Sequence, residues 1–150
     1  MERSFGVPRL LFLLYAQRSD YVLTSSSRNV SQHILQLAAT MQEGVEHIQQ
    51  QQARGQAAEL TVPLFMDVVT AFAEIEFAIT NMLPVIENNE YMTEKTDALR
   101  DALASTASAY EGASDVTPLF SVEHTLLPCI KHWYNTLHIV LGSQIAASSS

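Results

Sequence analysis

Residues 61–89, TVPLFMDVVTAFAEIEFAITNMLPVIENN, decide the fold. Within them Phe65, Val68, Phe72, Ile75, Ile79, Met82 and Ile86 recur three and four positions apart without a break. That repeat puts one apolar stripe on an α-helix and does not fit a strand. Val69 and Leu83 widen the stripe, Leu64 and Phe77 lie outside it, and Asp67, Glu74 and Asn81, seven apart, predict a narrow solvent-facing line. A helix this apolar needs cover on more than one side, from an N-terminal helix or from a partner. Thr61 reads as the N-cap with Pro63 just inside, Pro84 as a kink, and Asn88-Asn89 as the end.

The flanking segments repeat the pattern. Upstream, Val30, Ile34, Leu37, Met41, Val45 and Ile48 predict a helix over 27–53, separated from what precedes it by Ser25-Ser26-Ser27. Gln49–Gln52 are expected to carry it past its buried part, and Gly55 to end it. Downstream, a helix over 93–111 turns Ala98, Leu99, Ala102, Leu103, Thr106, Ala109 and Tyr110 inward. Thr106 is expected to bond back to a carbonyl one turn earlier. The outer side, with the residue just before the helix, carries Glu90, Glu94, Asp97 and Asp101, and 112–115 form a turn. The last helix opens at Thr117-Pro118 and buries Leu119, Val122, Leu126, Ile130, Trp133, Leu137 and Val140. Pro128 should bend it and Gly142 loosen its end. At the N-terminus, Leu10, Leu11, Leu13 and Leu14 predict a short helix over 8–22.

The fold class is therefore all-α: an antiparallel bundle of four long helices plus a short N-terminal helix. It forms one domain over 1–150, with 1–24 as the N-terminal element and 143–150 as a frayed tail. A chain that is 47% apolar and 16% charged has enough apolar surface to build such a core.

Charge and cysteine content narrow the function. With 16 acidic and 8 basic residues the net charge is −8, and no Lys/Arg cluster offsets it, which argues against nucleic acid as a partner, since its backbone would repel the domain, and against electrostatic docking to anionic lipid. The expected partners are neutral, apolar or basic. Cys129 is the single cysteine and sits among apolar neighbours, as an inert core thiol in a reducing, cytoplasmic setting would. The run from Arg9 to Ala16 is too short to span a bilayer and is read as a buried helix in preference to a secretion signal.

Chemistry-bearing constellations are weak. His33 and His47 are fourteen residues apart on one helix, about 21 Å along its axis, and His124 and His138 stand in the same relation. Neither pair can hold one metal, and the Glu-x-x-His pairs of bundle metal centres are missing. No nucleophile elbow or glycine-rich phosphate loop occurs. No catalytic residue, metal ligand or cofactor is assigned. His124, Lys131 and His138 form a weakly basic line, expected to be solvated or to pair with Glu94, Asp97 and Asp101 within the molecule or across a dimer; such pairing would weaken as pH rises through the histidine range.

The strongest functional lead is surplus hydrophobicity. It predicts a non-enzymatic helical bundle acting through protein–protein contacts, as a homo-oligomer, subunit, adaptor or small acidic chaperone, with Leu10, Leu11, Phe12, Leu14 and Phe77 as partner-binding positions. The alternatives are a bundle with an apolar core pocket for a ligand or cofactor and, behind it, a metal-dependent bundle enzyme.

Overall fold

The computed structural model describes the backbone of residues 23–83, 86 and 88–149, and the side chains of 28–81, 83, 86 and 88–143. Helix α1 spans Leu23–Ala53, α2 Val62–Met82 and α3 Glu90–Tyr110. Helix α4 is continuous in three pieces: Pro118–Ser121, a π turn over Val122–Leu126, and Leu127–Ser149. A 3₁₀ turn, Ala58–Thr61, leads into α2. No strand occurs among the described residues. The architecture is the expected antiparallel bundle of four long helices; the N-terminal helix expected over 8–22 lies outside the described residues.

The apolar stripes make the bundle. Helix α1 packs against both α2 and α4, and α3 packs against α4. Val30, Ile34, Met41, Val45 and Ile48 of α1 meet Phe65, Val68, Phe72 and Ile75 of α2 and Val122, Leu126, Ile130 and Leu137 of α4 in one buried cluster. Trp133 lies at its centre, 1% exposed, with its ring edge-on to Phe72 at 5.9 Å and its indole N–H donated to Thr96 Oγ1 at 3.2 Å. Helices α1 and α2 approach closely at Gly44, where an added Cβ would stand 3.2 Å from Val68 Cγ2.

Local chemistry moves several boundaries. Helix α1 takes in Ser25–Ser27, which were expected to precede it, because each serine costs at most about 0.7 kcal/mol against alanine, too little to stop a helix anchored by a long stripe. Its end is a Schellman turn: Gln56 N–H bonds Gln51 O and Gly55 N–H bonds Gln52 O, with Gly55 at φ 94°. Helix α2 stops before Pro84 where a kink was expected. Leu83 adopts φ −134°, ψ 66°, since a residue preceding proline avoids the helical region. Ile86 still reaches the core, 1% exposed, after a turn closed by its N–H on Leu83 O. Helix α3 starts at Glu90, earlier than 93, because the Asn89 side chain caps it by accepting from Met92 N–H at 2.9 Å. Thr117 caps α4 by accepting from Phe120 N–H, as expected. Pro128 produces no simple bend: the π turn upstream, closed by Leu127 N–H on Val122 O, widens the helix where the proline ring would meet the His124 carbonyl. Helix α4 then runs through Gly142 to Ser149.

Side-chain placement differs in five places. Thr61 does not cap α2; its hydroxyl donates to Ala58 O at 2.7 Å inside the 3₁₀ turn. Gln52 is buried, because it bonds Thr61 and Tyr110 across the end of the bundle. Thr106 meets the Ser121 hydroxyl of α4 at 2.7 Å, a partner on another helix where a carbonyl one turn back was expected. Ala98 is exposed, since α3 turns Leu99 and Ala102 to its neighbours and leaves Ala98 on the outer side. Asp67 and Asn81 face solvent, but Glu74 between them is 2% exposed and Thr70 one turn earlier is buried, so α2 is covered on a second flank as well as along its stripe.

Candidate interaction surfaces

Antiparallel packing of α3 on α4 fixes a register. The bonds Thr96–Trp133 and Thr106–Ser121 set these helices side by side, which places Tyr91 level with His138 and Asp97 level with Lys131. The two helices divide charge between them. Glu90, Glu94, Asp97 and Asp101 are all exposed on α3; His124, Lys131, His132 and His138 are all exposed on α4. The same two helices carry two large apolar side chains in water, Tyr91 on α3 at 60% and Ile139 on α4 at 69% exposure. Lys95 covers one face of the Tyr91 ring at 5.3 Å. Among the described residues no ion pair joins the acidic and basic lines; Asp97 is taken by Arg100 of its own helix at 2.6 Å. The pairing expected within the molecule is therefore not made there, because each line points away from the core at its own corner of the bundle.

The same α3 closes a cleft of about 190 Å³ against α2. Ile79, Ile86 and Met92 make its buried floor, Thr80 and Thr96 its sides, and Arg100 its mouth. The Arg100 guanidinium bonds Asp97 Oδ1 and Glu76 Oε2, so it ties α3 to α2, and its plane sits 6.0 Å from the Phe72 ring. The Asp97 and then the Glu76 hydrogen bond hold its pKa above the usual arginine value. The cleft is a surface feature at a helix seam, and differs in that respect from the core pocket considered above.

The other candidates fall into place individually. Leu10, Leu11, Phe12 and Leu14 lie outside the described residues. Phe77 is half-buried on α2, in contact with other groups. His33 and His47 are exposed, and His47 Nε2 is 2.8 Å from Gln51 Nε2. The His124 ring rests on Phe120 at 4.4 Å. No group of three metal-ligating side chains converges among the described residues. Cys129 is half-buried, and burial pushes its thiol pKa up against a smaller opposing pull from Lys95. No described helix is long and apolar enough to cross a membrane. Sequence reasoning missed the exposed residues Tyr91 and Ile139, because an isolated exposed apolar residue has no periodic signature; Ile139 falls between the buried Leu137 and Leu141.

The chain belongs to the family described as a domain of unknown function, DUF8042, whose profile matches residues 29–136. That segment runs from early α1 to the middle of α4 and so takes in the bundle's cross-helix contacts. No curated protein and no solved structure matches the chain.

Proposed function

We propose that this protein is a non-enzymatic interaction module that pairs with a second copy of itself through the α3–α4 face, in the manner of an oligomeric subunit or adaptor. The observation that carries the reading is the division between these helices: an exposed acidic line on α3, an exposed basic line on α4, and Tyr91 on the one and Ile139 on the other in water. A twofold axis through such a face sets each copy's acidic line opposite the other's basic line and buries the apolar pair at the centre. The net charge of −8 opposes indiscriminate association, so only a face carrying its own basic groups meets a second copy favourably. The lone cysteine suits a reducing compartment such as the cytoplasm. The sequence-derived contact positions are Leu10, Leu11, Phe12, Leu14 and Phe77, for self-association or a protein partner; the first four lie outside the described residues.

Sedimentation velocity over a wide concentration range tests the proposal. The natural chain is expected to move from monomer to dimer, and Ile139→Glu to stay monomeric with an unchanged circular dichroism spectrum. A natural chain that stays monomeric at the highest concentration, or an Ile139→Glu chain that dimerises equally well, overturns it.

A further inference from the structure

The cleft between α2 and α3 has a composition that selects a ligand class. We infer that it binds a small organic cation, a primary alkylammonium with a compact apolar body. Its lining carries two carboxylates, Glu76 and Asp97, against one guanidinium, Arg100, so the mouth holds one uncompensated negative charge. Arg100 takes one oxygen from each carboxylate and leaves the second oxygen of each to accept another donor. An ammonium supplies three N–H donors and charge-assisted bonds to both. Below the carboxylates the floor is Ile79, Ile86 and Met92, which favours an apolar body beneath the charged head. An anion would meet two carboxylates, and a neutral alcohol would forgo the charge-assisted bonds. The volume of about 190 Å³ accommodates a short alkylammonium such as butylammonium. The protein's net charge of −8 raises the local concentration of any small cation.

The site contains its own reporter. Thr96 lines the cleft, and its hydroxyl accepts the indole N–H of Trp133, the only tryptophan. A ligand that shifts Thr96 alters the Trp133 indole resonance and emission. The test titrates n-butylammonium chloride into the full chain at constant ionic strength, following Trp133 emission and the methyl resonances of Ile79, Ile86 and Met92. Sodium butyrate and n-butanol are the charge-reversed and neutral arms. Saturable shifts confined to those methyls and the indole are expected, with a dissociation constant in the millimolar range. Glu76→Gln and Asp97→Asn should each weaken binding about tenfold, as loss of one charge-assisted bond does. Both replaced groups are partly exposed, and unliganded Trp133 emission verifies that each variant is folded; either variant alone decides the point. Butanol binding as tightly as butylammonium, shifts scattered over the surface, or no saturation overturns the inference. Because Ile139 stands on α4 and no α4 residue lines the cleft, Ile139→Glu should bind butylammonium unchanged, which separates this outcome from the dimer's.

Discussion

Tyr110 joins three segments that sequence distance keeps apart. Its hydroxyl accepts from Gln52 Nε2 at 3.0 Å and lies 2.7 Å from Thr61 Oγ1, while its ring packs on Phe65 at 4.9 Å. Thr61 spends its one proton on Ala58 O, so the phenol is the donor between them. Burial raises the phenol's pKa above its usual value of 10.0, with the Thr61 and Gln52 bonds opposing in part. The folded state thus prefers the neutral phenol. Its contribution is complete below the unfolded pKa and is lost as pH rises through the folded one, so thermal stability should be level up to about pH 10 and fall beyond it. Tyr110→Phe should flatten that fall and cost about 1 kcal/mol at pH 7 in urea unfolding followed by Trp133 emission. Cys129 gives a second readout at this scale. With its thiol pKa raised by burial, alkylation by iodoacetamide at pH 8 should run slower than in the urea-unfolded chain, and equal rates would contradict the placement. None of these partnerships was legible beforehand. Thr61, Gln52 and Tyr110 each have a good local role as cap, helix end and inward aromatic, and only tertiary packing makes them partners.

Helix existence was legible because burial writes itself into period: Val30 to Ile48 and Phe65 to Ile79 are apolar at the spacings that one buried face requires, and those residues form the core. Ends were less legible, since a cap is one side chain competing with its neighbours. Asn89 illustrates the point. It read as the end of α2, and it is the beginning of α3, because its short side chain accepts the Met92 N–H. Asn89→Ala should therefore cost about 0.5–2 kcal/mol, measured by urea unfolding, with the loss of helical signal confined to the start of α3. Gly44 makes the complementary case. Glycine in mid-helix costs about 1 kcal/mol against alanine, and here the Val68 methyl stands 3.2 Å from where a Cβ would be, a tight approach that a side chain would have to push aside. Gly44→Val should overpack the α1–α2 contact and lose about 1–3 kcal/mol despite gaining a side chain. A variant as stable as the natural chain would show that the two helices separate freely. The π turn before Pro128 belongs with these: a proline announces that a hydrogen bond is missing but not whether the helix bends, stops or widens, and here α4 widens while α2 stops at Pro84.

At the scale of the whole molecule, charge and apolar exposure separate in a way that no single helix reveals. The sequence shows an acidic line and a basic line, but whether they meet depends on which corner of the bundle each occupies. Asp97 turns to Arg100 while Lys131, level with it on α4, remains in water. Lines that neither meet nor neutralise each other inside one molecule can be satisfied by a second, and the salt dependence of association distinguishes this from purely apolar pairing. Exposed charges are screened over about 10 Å at 0.1 M salt and about 3 Å at 1 M, whereas burial of Ile139 and Tyr91 is indifferent to salt or slightly strengthened by it. The dimer dissociation constant should accordingly rise with sodium chloride. Lys131→Glu should weaken the dimer at low salt and make it nearly salt-independent, because the reversed charge removes attraction from both copies at once. Adding Glu94→Lys and Asp101→Lys to Lys131→Glu restores opposite signs across the interface and should recover the dimer, while the same two changes on the natural background should not. Recovery in that one combination requires that α3 of one copy face α4 of the other; equal behaviour of all the variants would mean the lines are solvated faces and that association, where found, uses another surface.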